Sequence, residues 1–275
     1  MDIKVLAIGG SRNIGYLSAI RLLDLGATVT FLLRKPAVFD DDETIKKYVQ
    51  KGKARLVQGD ALVKADVQRA WDEAAKGEGE ENRSVDLLIF TVGSTSAQFH
   101  PIKGFLISPA NLVTQSLLNV LETVPASHPN VIAISSTGVT QVSHKALPLP
   151  LKVVYGYLIS QPHKDKRGAE QIYAHMAGWP WDKKDDVGVD ILGDNWTDRL
   201  PPQGQYKNLV VVRPALLTSG KSLADNSPGK QAYRVKDGDM NGAYTISRDD
   251  VSHFLVQGVA RHWDEWVGKC VSIAY

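Results

Sequence analysis

Val5-Leu-Ala-Ile-Gly-Gly-Ser-Arg-Asn-Ile-Gly15 decides the fold. A short apolar run ends in glycines, and from Ile14 to Leu25 the apolar side chains recur at helical spacing, so the order is strand, glycine turn, helix. Glycine lets backbone N–H groups approach a pyrophosphate, and the helix N-terminus adds about half a positive charge at the same place. The backbone from Gly9 through Ser11, Arg12, Asn13 and Ile14 is therefore the expected cradle of a dinucleotide. The spacing departs from G-x-G-x-x-G: Gly9 and Gly15 hold the two ends, while Arg12 and Asn13 stand where related turns carry glycine.

The next signal lies about 20 residues on, where an acidic side chain would bind the ribose 2'-hydroxyl of NAD and an arginine would accommodate the 2'-phosphate of NADP. The second apolar run ends Leu32-Leu-Arg-Lys35, with Arg34 standing 19 residues after Gly15 and no carboxylate beside it. Arg12 could reach the same phosphate from the turn, and guanidinium suits phosphate through paired hydrogen bonds. The cofactor expected from these residues is NADP(H).

Further apolar runs follow at 54–57, 86–90, 131–134 and 209–212, alternating with helical patterns near 41–49, 64–75, 109–124 and 164–176. Unbroken apolar strands are buried on both faces, which is the pattern of a parallel sheet with crossover helices. The expected fold class is α/β, a doubly wound and mostly parallel Rossmann sheet forming one domain over residues 1–275. A Trp-, Gly- and Pro-rich irregular insertion interrupts it at 178–208, and from about residue 215 a small substrate-binding lobe follows, with its clearest helix over 247–262. Ser108-Pro109 predicts an N-cap with proline at the first helical position, and Ser247 with Asp250 predicts a capping box.

Composition narrows the partners. A net charge of +2 without a run of like charges gives no footprint for nucleic acid or anionic lipid. No apolar stretch approaches the roughly 20 residues that cross a bilayer. The single cysteine, Cys270, and a start without a secretory signal pattern fit a reducing, cytoplasmic setting. Asn82-Arg-Ser and Asn195-Trp-Thr match the glycosylation sequon by chance in such a setting. No Cys/His/Asp cluster has metal-ligand spacing, and no Gly-x-Ser-x-Gly elbow suggests a hydrolase. The partner is a small molecule, and monomer and homodimer both stay open.

Beyond the first turn, Gly59-Asp60-Ala61, Thr91-Val-Gly-Ser94, Ile134-Ser-Ser-Thr-Gly138, Arg213-Pro-Ala-Leu216 and Ile246-Ser-Arg-Asp-Asp-Val251 follow in order at strand ends. Together they make the chain resemble the atypical short-chain dehydrogenase/reductases of the NmrA-like and biliverdin-reductase-B-like kind, NAD(P)-binding Rossmann proteins. The resemblance implies that Asp60 and Ala61 flank the adenine. It also implies that Val92, Gly93 and Ser94 pass beside the ribose and pyrophosphate, and that Pro214 and Leu216 line the nicotinamide pocket. Ser135 joins the cofactor-binding set, and Ser136 matches the active-site serine, whose hydroxyl could hydrogen-bond a substrate carbonyl.

One family element is missing. Most short-chain reductases carry a tyrosine that donates the proton and, four residues later, a lysine that holds the ribose, and no Tyr-x-x-x-Lys follows the fifth apolar run. Lys166 is the expected ribose contact, with an ion pair to Glu170 as an equal structural reading. Tyr157 or solvent is expected to supply the proton, with Tyr155, His144 and His163 as further candidates. The stretches 138–157, 179–200 and 217–244 would wall the pocket, and their apolar content suits a hydrophobic or aromatic substrate. The leading function is an NADPH-dependent reductase passing hydride to a carbonyl, imine or conjugated acceptor. The alternatives are a non-catalytic NADP(H) sensor that binds protein partners and a Rossmann protein repurposed for isomerisation or dehydration.

Overall fold

The computed structural model describes residues 1–77, 84–94, 97–226 and 231–275; the Asn82 sequon and the part of the third wall segment at 227–230 lie outside the described residues. The strands are β1 (Lys4–Ile8), β2 (Thr28–Leu33), β3 (Ala54–Gln58), β4 (Leu87–Phe90), β5 (Gln98–His100), β6 (Gly104–Leu106), β7 (Asn130–Ile134), β8 (Leu209–Pro214), β9 (Leu216–Thr218), β10 (Arg234–Asp237), β11 (Thr245–Ser247) and β12 (Cys270–Ala274). Eight of them form the central sheet in the order β10-β12-β8-β7-β4-β1-β2-β3. All its pairs are parallel except β10 with β12. The longer helices among the described residues are α1 (Asn13–Asp24), α2 (Glu43–Gln50), α3 (Lys64–Ala75) and α4 (Leu112–Glu122), then α5 (Gln141–Ala146), α6 (Leu149–Val153) and α7 (Ser160–Ala177).

Alternation along each strand explains the two helical layers. Val5 and Ala7 of β1 share a buried cluster with Leu22 of α1, Ile45 of α2 and Val251, whereas Leu6 and Ile8 share another with Trp71 of α3, Leu117 of α4 and Ile172 of α7. This is the doubly wound α/β sheet that the apolar runs predict. Strand order reverses between β1 and β4, whose last residues Ile8 and Phe90 are register partners. Ligands of such sheets sit beyond the carboxyl ends at that reversal, which fixes where chemistry is to be sought.

Three expectations change. First, α4 starts at Leu112 with Asn111 at its N-cap, not at Pro109. Its free N–H groups are taken instead by a carboxylate from α7: Asp165 accepts from Val113 N at 2.8 Å and Thr114 N at 2.9 Å. Second, the chain after residue 215 only partly leaves the sheet: β9 and β11 form a small parallel pair, but β10 and β12 rejoin the main sheet. Ser272 interrupts the apolar run of β12, and its buried hydroxyl is satisfied by Gly238 O at 2.7 Å. Third, the 178–208 insertion is fastened along α4 and α7. Arg199 holds Glu122 and Asn119, Gln115 donates to the Ile191 and Leu192 carbonyls, and the ring of Trp196 packs on His175. The expected capping box forms by half: Asp250 N donates to Ser247 Oγ at 2.9 Å, but the Ser247 N–H goes to Tyr275 Oη at 3.1 Å rather than to the Asp250 carboxylate. No helix among the described residues is long and apolar enough to cross a membrane.

Candidate functional site

The glycine turn is closed by contact as well as by conformation. Gly9 has φ +91°, and a Cβ there would meet the Thr91 carbonyl carbon at 2.5 Å and Val92 N at 2.6 Å. A Cβ on Gly15 would run into the Thr91 hydroxyl and the Gly9 carbonyl. Both glycines are thus required where the end of β1 meets the end of β4. Asn13 stands at φ +53°, a left-handed conformation that asparagine tolerates better than most side chains. This explains how it stands where related turns carry glycine. Among the described residues the first turn of α1 has neither a side-chain cap nor an acidic residue, so its N–H groups and dipole face outward for an anion. Ile14 is buried beneath the turn, while Arg12 and Asn13 are exposed. The cradle therefore fits a dinucleotide pyrophosphate.

Beside it, Arg34, Gln58, Gly59, Asp60, Asp66 and Arg69 line an open cleft of about 570 Å³ at the ends of β2 and β3. Arg34 is exposed. Asp60 lines the cleft and also acts as a turn residue, its Oδ1 accepting from Leu62 N at 2.9 Å. Ala61 lends its carbonyl to Asn119 Nδ2 at 3.0 Å.

On the other side of the reversal, the ends of β4, β7 and β8 bring together Val92, Gly93, Ser94, Ser136 and Pro214. Leu216 follows, well exposed at the start of β9. Ser136 is half-buried, but Ser135 is buried and its hydroxyl donates to Glu170 Oε1 at 2.5 Å. The side chain of Ser135 is therefore turned into α7, which corrects its assignment as a cofactor ligand through that hydroxyl. Lys166 donates to the Ser135 carbonyl at 2.9 Å, and burial pulls its ammonium down to about 8 against the opposing charges of Glu170 and Asp165. It does not pair with Glu170, whose carboxylate is held by Arg213 through Nε at 2.9 Å and Nη2 at 2.5 Å. Arg213 adds Asp239 at 3.1 Å, and with Glu170 beside it its guanidinium pKa moves further up despite burial. This buried Ser135–Glu170–Arg213–Asp239 chain carries the loop that presents Ser136, and no sequence spacing announces it.

The two tyrosines face different ways. Tyr157 is exposed and its hydroxyl hydrogen-bonds the Pro101 carbonyl, away from Ser136. Tyr155 is buried in the same irregular turn, with the Ser136 and Thr137 hydroxyls near its phenol; burial raises its pKa. His163 packs edge-on against the Tyr155 ring, with centroids 4.9 Å apart. Burial, with the nearby Lys166 charge, lowers His163 to about 3, so the ring is neutral at pH 7. An acid-stability effect follows with a definite sign. An unfolded His163 takes up a proton near pH 6.5 that the folded ring refuses until about pH 3, so stability falls as pH drops through this window. The slope is at most about 1.4 kcal/mol per pH unit. His163→Gln keeps a donor but cannot titrate, so urea unfolding at pH 7, 5.5 and 4 should show the wild type losing stability faster than the variant; parallel curves would remove His163 from the account.

With this geometry in view, the fold is that of NAD(P)-binding Rossmann proteins, as the resemblance to atypical short-chain dehydrogenase/reductases implies. No family model matches the sequence. The reductase pytE of Aspergillus terreus is 26% identical over 199 residues, covering 69% of this chain and 67% of its own length. Among solved structures, a putative NAD-dependent epimerase/dehydratase from Bacillus halodurans aligns over 99% of this chain and 94% of its own, with TM-score 0.59 and 16% identity. ChuY, an anaerobillin reductase from Escherichia coli O157:H7, aligns over 98% and 96%, with TM-score 0.57 and 16% identity. The chain is thus similar in sequence to a reductase, and in fold to a putative NAD-dependent epimerase/dehydratase and an anaerobillin reductase.

Proposed function

We propose that the protein is an NADPH-dependent reductase acting on a small hydrophobic or aromatic molecule with a carbonyl, imine or conjugated acceptor. The observation that carries this is the junction of β1 and β4. Gly9 and Gly15 leave no room for a Cβ beneath the open N-terminus of α1, with Arg34 at the end of the neighbouring strand. When bound, NADPH supplies the hydride. Gly9 to Ile14 would hold the pyrophosphate with Val92 to Ser94 passing beside it and the ribose, Arg34 and Arg12 would take the 2'-phosphate, Pro214 and Leu216 would line the nicotinamide pocket, and Lys166 would stand near the ribose.

The Ser136 hydroxyl would donate a hydrogen bond to the acceptor oxygen, where negative charge develops. The Tyr155 phenol, in contact with Ser136, stands behind it as the positioning group and the route for proton resupply. Phe99, Val153, Leu149 and Tyr157, all well exposed on the connections that leave the carboxyl ends of β4 and β7, support an apolar acceptor. A cytoplasmic setting belongs to the same reading, as does either a monomer or a homodimer.

The test is a calorimetric titration with NADPH, NADP+, NADH and NAD+, followed by the absorbance of NADPH with a panel of carbonyl and quinone-like acceptors. Binding with consumption supports the reductase. Binding without consumption moves the reading to an NADP(H) sensor, and absence of binding overturns it. In the same assay Arg34→Ala is expected to weaken NADPH by about 1.5–3 kcal/mol, the range for hydrogen bonds to a charged group, and to leave NADH nearly unchanged. An equal loss for both would assign Arg34 another task.

A further inference from the structure

The cleft beyond the glycine turn contains a second arginine that the strand-end pattern does not reveal. Arg69 lies on α3, 35 positions after Arg34, and lines the same space. Its place there is built in three steps. Gly59 ends the β3 connection, and a Cβ on it would meet Asp66 Cβ at 2.8 Å and Leu32 Cδ1 at 2.9 Å. Glycine is therefore what allows the Asp66 side chain to lie against the strand end. Asp66 then accepts from Asp60 N through Oδ2 at 2.8 Å and from Arg69 Nη2 through Oδ1 at 2.8 Å. The Asp60 N–H bond comes first among the causes that hold this carboxyl below its usual range, so it is ionised at pH 7. Arg69 Nη2 also donates to the Gln58 carbonyl at 2.7 Å.

These two acceptors use one nitrogen of the guanidinium. A guanidinium has five N–H donors in a fixed plane, so Nε and Nη1 retain three, and the group cannot lose its charge at any working pH. The Asp66–Arg69 pair is about half exposed on the arginine side, and a pair of that kind contributes little to stability. It orients the arginine. Arg34, on the other wall, makes no ion pair or hydrogen bond among the described residues and is exposed. The cleft thus offers two guanidiniums with unused donors, one oriented in advance and one free to close, around an opening wide enough for a nucleoside phosphate.

We infer that Arg69 is a specificity-determining residue: with Arg34 it clamps the adenosine 2'-phosphate of NADP(H). The inference rests on the proposed cofactor reading and deepens it. A 2'-phosphate brings close to two negative charges and three acceptor oxygens, enough for both arginines, whereas the ribose 2'-hydroxyl of NAD(H) gives them little to hold. The other two carboxylates do not spoil the site, because Asp66 is engaged by Arg69 and the Asp60 N–H, and Asp60 is engaged by the Leu62 N–H.

The experiment compares dissociation constants for NADPH and NADH, by calorimetry at fixed ionic strength, in the full-length wild type, Arg69→Gln and Arg34→Ala/Arg69→Gln. The wild type is expected to prefer NADPH. Arg69→Gln should raise the NADPH constant about tenfold or more, keep the NADH constant within about twofold, and leave the melting temperature unchanged, since the side chain is about half exposed. The double variant should lose most of the preference for NADPH, keeping only what Arg12 contributes. Wild type that binds neither dinucleotide overturns the cofactor reading and this inference with it. Wild type that prefers NADPH, with Arg69→Gln keeping the same NADPH-to-NADH ratio, overturns the role of Arg69 alone. A drop shared equally by both dinucleotides does the same, because it places Arg69 on the common part of the cofactor.

Discussion

Glu170→Gln should lower the unfolding free energy by about 3–5 kcal/mol, the cost of removing one member of a buried ion pair. Arg213 is 11% exposed and Glu170 only 4%, so water cannot replace the lost carboxylate charge. Asp239 remains on Arg213 Nη1 at 3.1 Å and offsets part of the loss, which places the expectation toward the lower end. The cause can be separated from simple loss of packing. Replacing both partners, as Glu170→Met with Arg213→Met, removes the stranded charge together with its counter-charge and should recover much of the stability. Urea unfolding of Glu170→Met, Arg213→Met and the double variant closes the cycle. If Glu170→Gln costs less than about 1 kcal/mol, the pair is solvated and the account of this loop is wrong. Glu170 also accepts the Ser135 hydroxyl, so the same substitution is expected to loosen the segment that presents Ser136.

That network marks the limit of what the sequence discloses. The sheet was legible because parallel strands buried on both faces leave unbroken apolar runs, and the glycine turn was legible because it is local. Arg34 could be placed by counting from Gly15. Glu170 and Arg213 lie 43 positions apart and meet only because α7 crosses β8, so no periodicity pairs them. The same holds for Asp165, which caps α4 from 52 positions away at Val113. Ser108-Pro109 imitated the local cap that this contact replaces.

Tyr155 and Tyr157 cannot be told apart in the sequence for a different reason. They sit two apart in a wide helical turn over Val154–Leu158, where neither a period of 2.0 nor one of 3.6 says which ring turns inward. Arg69 was invisible because its orientation depends on Gly59 making room for Asp66, a steric relation that composition does not record.

The site prediction with the largest effect on turnover follows from the reassigned tyrosine. Ser136→Ala should reduce kcat by about 10²–10³-fold, the loss typical of one donor to a developing oxyanion, with NADPH affinity nearly unchanged. Ser136 stands just past the end of β7 near Tyr155, and Lys166 is engaged at the Ser135 carbonyl. Removing the hydroxyl therefore takes away both the donor to the acceptor oxygen and the link to the phenol. Tyr155→Phe should then cost less than Ser136→Ala, because serine still polarises the oxygen and solvent can return the proton, a contribution of about 10²-fold at the low end of general acid catalysis. Tyr157→Phe should leave kcat within about twofold, since its hydroxyl is spent on Pro101. Steady-state rates with the best acceptor from the panel rank the three. If Tyr157→Phe proves the most damaging, the exposed tyrosine turns inward when substrate binds, and the proton comes from it after all.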